Sequence, residues 1–126
     1  MSKIHAFMTT TALMVAILGD TLMPGSAKAA IESQLWHVVP WASLGHFVLF
    51  GCLGWVVAQQ EPSRMAIPAL LLAAALAGGT EWLQMWVPGR HPRLIDIGID
   101  MAGALAGCTA AAVMFSRRGR YARRII

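Results

Sequence analysis

Seven polar residues in a mostly apolar chain have the types and the spacing to do chemistry: His46, Glu81, Gln84, Arg90, Arg93, Asp96 and Asp100. Glu81 and Gln84 are three positions apart and Asp96 and Asp100 four, so each pair shares one side of a helix. Between them runs Val87-Pro88-Gly89-Arg90-His91-Pro92-Arg93, a short loop whose two prolines limit its freedom. Such a loop could hold Arg90 as a bidentate clamp on a carboxylate of the cluster, or on a phosphate of a ligand. His46 or Glu81 has the chemistry of a general base, and Arg90 with Arg93 that of a phosphate-steadying pair. A metal held by His46, Glu81 and the aspartates lacks any HExxH-like spacing, and no GxSxG nucleophile is present. Neither a metal nor a cofactor is expected.

A structural role stands beside the chemical one. Glu81 with Arg90 could be a buried ion pair that fixes a helix-loop-helix turn, and Asp96 could cap the helix that follows. Two aspartates one turn apart weigh against a purely structural role, because one of them must be protonated or paired.

The elements that carry these residues follow from composition. The chain has 126 residues, 57% hydrophobic and only 13% charged, where a globular domain is about a quarter charged. Residues 33–60 contain no Asp, Glu, Lys or Arg, and residues 65–86 contain only Glu81. One small aqueous core cannot absorb such stretches. A soluble enzyme, a disordered segment and a disulfide scaffold are therefore excluded, and Cys52 and Cys108 read as packing residues within apolar runs. The fold class expected is all-α: a single-domain integral membrane bundle of four transmembrane helices over residues 1–126. The helices fall at about 4–23, 41–59, 65–87 and 95–116, each near the ~20 residues that cross ~30 Å of hydrocarbon. Met23-Pro24-Gly25-Ser26 and Pro88-Gly89 are the breakers, and Pro68 falls in the first turn of the third span.

Lys3, the first apolar stretch and Ala27-Lys28-Ala29 imitate a cleavable secretory signal, but the length of the stretch and Asp20 within it favour a retained helix. Basic residues set the direction. Lys3, Arg64 and the tail arginines Arg117, Arg118, Arg120, Arg123 and Arg124 outnumber Lys28, Arg90 and Arg93, which puts both termini in the cytoplasm. Residues 117–126 then form a basic cytoplasmic tail beside lipid head groups, and no nucleic-acid partner is expected. At ~1.5 Å per residue, the polar cluster lies within roughly 10 Å of the outer hydrocarbon boundary. Trp36, Trp41, Trp82 and Trp86 form an interfacial belt there. Gly103 and Gly107, together with Ala73, Ala74, Ala75, Ala77, Gly78 and Gly79, offer close-packing surfaces for the bundle or for a homo-oligomer.

The run Glu81-Trp82-Leu83-Gln84-Met85-Trp86-Val87-Pro88-Gly89-Arg90, followed by Asp96 and Asp100-Met101-Ala102-Gly103, resembles the VanZ-like family. These are small bacterial membrane proteins named after a teicoplanin-resistance protein. Glu81, Gln84, Pro88, Arg90, Asp96, Gly103 and Gly107 take the family's places, and His46-Phe47 matches its upstream His-Phe. Ala42 and Ser43 stand where the family has Asp-Lys, and Asp100 where it has Asn. The resemblance covers about residues 40–110. It implies a multi-pass protein of the bacterial cytoplasmic (inner) membrane that alters susceptibility to teicoplanin-type glycopeptides. The polar cluster would bind a lipid-linked cell-wall precursor, a glycopeptide or a lipid head group. Two alternatives stay open: a membrane-embedded enzyme acting on a lipid-linked phosphate, and a small transporter, although no ionisable path across the bundle is visible.

Overall fold

The computed structural model describes residues 2–35 and 41–122 and, for Pro62, Ser63 and residues 119–122, the backbone alone. Trp36, Arg123 and Arg124 lie outside the described residues. The described chain is helical: α1 (Lys3–Leu22), α2 (Gly25–Glu32), α3 (Trp41–Ala58), α4 (Pro62–Gln84) and α5 (Leu94–Ala122), with no strand among the described residues. Lys3–Leu22, Trp41–Ala58, Arg64–Gln84 and Leu94–Arg118 are long and apolar enough to cross a membrane. The protein is an all-α membrane-helix bundle.

The element boundaries differ from expectation in four places, each for a local reason. The stretch after the first breaker forms α2, because Pro24 supplies an extended entry and Ala27, Ala29 and Ala30 are strong helix formers. Helix α4 starts at Pro62, whose fixed φ suits the first helical turn. Pro68 therefore lies inside the helix, where it removes the amide that would bond the Arg64 carbonyl. At its other end α4 stops at Gln84. The amides of Met85, Trp86 and Val87 turn back to carbonyls three residues earlier, and Pro88 bars continuation. Helix α5 runs through Arg117 and Arg118 to Ala122, so the start of the basic tail is a helical extension.

Burial is inverted in size. Large side chains such as Phe7, Val15, Ile67 and Leu71 face outward, whereas Ala73, Ala77 and Ala104 are fully buried with Phe50, Leu53 and Ile17. This is how helices associate in lipid, where hydrocarbon gains little by leaving other hydrocarbon and close backbone approach decides. The closest approach is between α3 and α5. A methyl group on Gly103 would run into the Phe47 carbonyl, one on Gly107 into the Gly51 carbonyl, and one on Gly54 into the Ala104 carbonyl. Gly103 and Gly107 are thus used inside the bundle. On α4 only Ala73 and Ala77 of the small-residue run are buried, and Gly78 and Gly79 face open space.

The C-terminal ends of α1 and α4 and the N-terminal ends of α3 and α5 meet at one end of the bundle. The 85–93 loop joins them there. Gly25 N–H donates to the Pro88 carbonyl at 3.2 Å. The two backbones are so close that a methyl on Gly25 would strike Gly89, which itself adopts φ +73°, a conformation suited to glycine. The loop is therefore fastened to the α1–α2 junction by main chain.

Candidate functional site

A chain of four ionisable side chains lies beneath this end. His46 Nδ1 is 2.9 Å from Asp100 Oδ1 on α5, and its Nε2 is 3.0 Å from Asp20 Oδ2 on α1. Lys28 Nζ, on α2, reaches the same Asp20 oxygen at 3.1 Å. Two cations alternate with two anions, so the network is neutral when all four are ionised. It joins α1, α2, α3 and α5 where intramembrane charges need partners. His46 and Asp100 are buried, and His46 stacks on Phe50 with ring centroids 6.4 Å apart. The His46 ring thus meets a carboxylate oxygen at each of its two nitrogens.

Glu81 does a different job. Its Oε2 accepts the backbone N–H of Arg93 at 2.6 Å, immediately before α5 begins. A carboxylate there satisfies an end-of-helix amide and lies at the positive pole of the helix dipole. The expected Glu81–Arg90 ion pair does not form. The loop crosses Glu81 with its main chain, and a backbone amide reaches this buried carboxylate while the guanidinium stays at the cleft. Asp96 lies in the first turn of α5, where its charge suits the dipole, but it makes no capping hydrogen bond; Glu81 holds that end instead. Asp96 and Asp100 also part company: Asp96 is half-buried at the surface and Asp100 is sealed below. Glu81 Oε1 and Asp100 Oδ2 are buried without a hydrogen-bond partner among the described residues.

Above the network opens a cleft of about 330 Å³, lined by Lys28, His46, Gln84, Arg90, Arg93 and Asp96 among others. Arg90 is half-buried and Arg93 exposed, and neither has a carboxylate within ion-pair distance among the described residues. Gln84 is only 3% exposed and its amide finds no partner among the described residues. Trp41, Trp82 and Trp86 stand at this end, the last two edge-to-face at 6.5 Å. Among the described residues no three His, Cys, Asp or Glu side chains converge as a metal set. What the cleft offers chemically is two guanidinium groups and an amide, beside the carboxylates of Glu32 and Asp96.

Of the residues singled out from sequence, Gln84, Arg90, Arg93, Asp96 and His46 meet at the cleft, while Glu81 and Asp100 act beneath it. Sequence reasoning missed Asp20 and Lys28 as members. The signal was present: Asp20 lies two residues from the end of α1, at the depth of the other polar groups. Ala42 and Ser43 line the same cleft as Lys28, and the acid and the lysine beside His46 come from α1 and α2.

No curated protein and no solved structure matches the chain. The family model described as VanZ/LLP1 matches residues 3–115, a range that takes in α1 and α2 and with them Asp20 and Lys28. The chain belongs to the VanZ/LLP1 family.

Proposed function

We propose that this protein acts in the bacterial cytoplasmic membrane with the cleft facing outward. There it alters susceptibility to teicoplanin-type glycopeptides by binding a lipid-linked cell-wall precursor or a lipid head group. The observation that carries the reading is the pair of arginines, Arg90 and Arg93, without a carboxylate partner among the described residues, at the mouth of a cleft at one end of a membrane bundle. Intramembrane polar groups are costly, and those that line an open cleft rather than a sealed contact point to a ligand. The family and the helical bundle support the membrane setting, and the distribution of basic residues supports the direction.

The test is to express wild type and Arg90→Ala in a glycopeptide-susceptible strain and measure inhibitory concentrations alongside membrane levels. Arg90→Ala is expected to abolish the shift that wild type produces. An undiminished shift at equal membrane level would overturn the proposal.

An enzyme using His46 as base finds less support, because both ring nitrogens already face carboxylates. A transporter finds less still, since no acidic, basic or histidine residue lies between Asp100 and Arg117 on α5.

A further inference from the structure

Charge accounting at the cleft narrows the ligand. Five basic side chains line it: Lys28, His46, Arg90, His91 and Arg93. The first two are committed to Asp20 and Asp100. The two arginines are not committed, and the planar fork of a guanidinium matches phosphate oxygens in pairs. Gln84, buried overall but lining the cleft, adds a neutral amide that can donate to a ligand oxygen there. Arg90 is also placed in advance. Its loop is pinned by the Gly25–Pro88 hydrogen bond, by the Arg90 N–H to Val87 carbonyl bond at 3.2 Å, and by the flanking prolines. Little ordering remains to be done when an anion arrives.

Resting on the ligand-binding reading above, we infer that the group taken by this cleft is a phosphate ester. Arg90 grips it, Arg93 is the second cation, and Gln84 donates from the wall. Two carboxylates, Glu32 and Asp96, also line the cleft and make no ion pair to either arginine. They oppose an anion, so removing one tightens the grip. Trp82 and Trp86 place the site at head-group depth, which makes a phosphate carried on a lipid the natural source.

The test titrates the purified full chain in phosphate-free micelles with farnesyl monophosphate, farnesol, a short-chain phosphatidic acid and inorganic phosphate. Farnesyl monophosphate is expected to bind at least roughly tenfold more tightly than farnesol, as charge-assisted bonds to a guanidinium require. Arg90→Ala loses that margin, Arg90→Lys recovers only part of it, and Glu32→Gln binds more tightly than wild type, a gain that misfolding cannot produce. Lipid phosphates that outbind inorganic phosphate identify a head group as the source, whereas equal binding identifies free phosphate. The inference falls if farnesol binds as tightly as its phosphate. It falls equally if Arg90→Ala, Arg93→Ala and Glu32→Gln, each with wild-type helical content, all bind the phosphate like wild type. Phosphate binding without an effect of Arg90→Ala on glycopeptide susceptibility keeps this inference and removes the susceptibility role, and the converse result does the reverse.

Discussion

His46 and Asp100, 54 residues apart in the chain, meet inside the bundle with Nδ1 2.9 Å from Oδ1. Asp100 has no exposed surface, and the other ring nitrogen of His46, Nε2, meets Asp20, whose side chain is about a third exposed (32%). The contact ties α3 to α5 directly above the glycine seam and ties both to α1. It places the floor of the cleft on charge pairing instead of on apolar packing.

That gradient of burial predicts a ranking. Asp100→Ala leaves His46 Nδ1 without its partner at an emptied, sealed site and should cost ~3–5 kcal/mol, the range for breaking one side of a buried pair. Asp20→Ala takes the partner from a largely buried Lys28 and from one nitrogen of His46, but at a contact about a third open, and should cost less, about 1–3 kcal/mol. Thermal unfolding of the two variants in micelles checks the order. Equal losses would mean that the network is not what holds α3 on α5.

How much of this was legible in the sequence divides by range of interaction. The four long helices were legible because each is a run of apolar residues of membrane length, and length and composition are local properties. The pairing at the seam was legible only as a possibility: Gly103 and Gly107 mark a close-packing face, but which surface they meet is a tertiary matter, settled here by the carbonyls of Phe47 and Gly51. In the site, depth along the helices picked out His46, Glu81, Gln84, Asp96 and Asp100. Depth could not say which partner each would take. Glu81 went to a backbone amide instead of to Arg90 because the loop fold, fixed by Gly89 and Pro88, decides which atom of the 87–93 segment passes over it. Asp20 and Lys28 were hidden for another reason. Each has an ordinary local explanation, an interruption in a leader-like stretch and a residue in a small-residue motif. Their nearest partner in the chain lies in a separate helix.

Glu81 provides the second prediction. Its Oε2 accepts from the Arg93 amide at 2.6 Å, and this is the bond that fastens the end of α4 to the start of α5. Glu81→Ala removes the acceptor and should destabilise by about 1–3 kcal/mol, the cost of leaving a shielded amide unpaired. Glu81→Gln keeps an acceptor oxygen and should lose less. Hydrogen exchange at Arg93 resolves the effect locally: protection should fall in Glu81→Ala and largely persist in Glu81→Gln. If both variants exchange like wild type, Glu81 is not holding the helix start.

The direction of the bundle gives the third. The described bundle brings Trp86 and Arg118 to opposite ends, because Trp86 follows the C-terminal end of α4 while Arg118 lies far along α5 from Asp100. Lys3, Arg64, Arg117 and Arg118 lie at the second end, and basic flanks of short loops stay in the cytoplasm. Single cysteines Trp86→Cys and Arg118→Cys, introduced with Cys52 and Cys108 changed to Ser and Ala, separate the two ends in intact cells. A membrane-impermeant maleimide should label Trp86→Cys directly and Arg118→Cys only after permeabilisation. The opposite pattern would turn the cleft toward the cytoplasm, out of reach of any antibiotic that acts outside, and would remove the susceptibility role while leaving the phosphate chemistry of Arg90 and Arg93 to be tested on the inner leaflet.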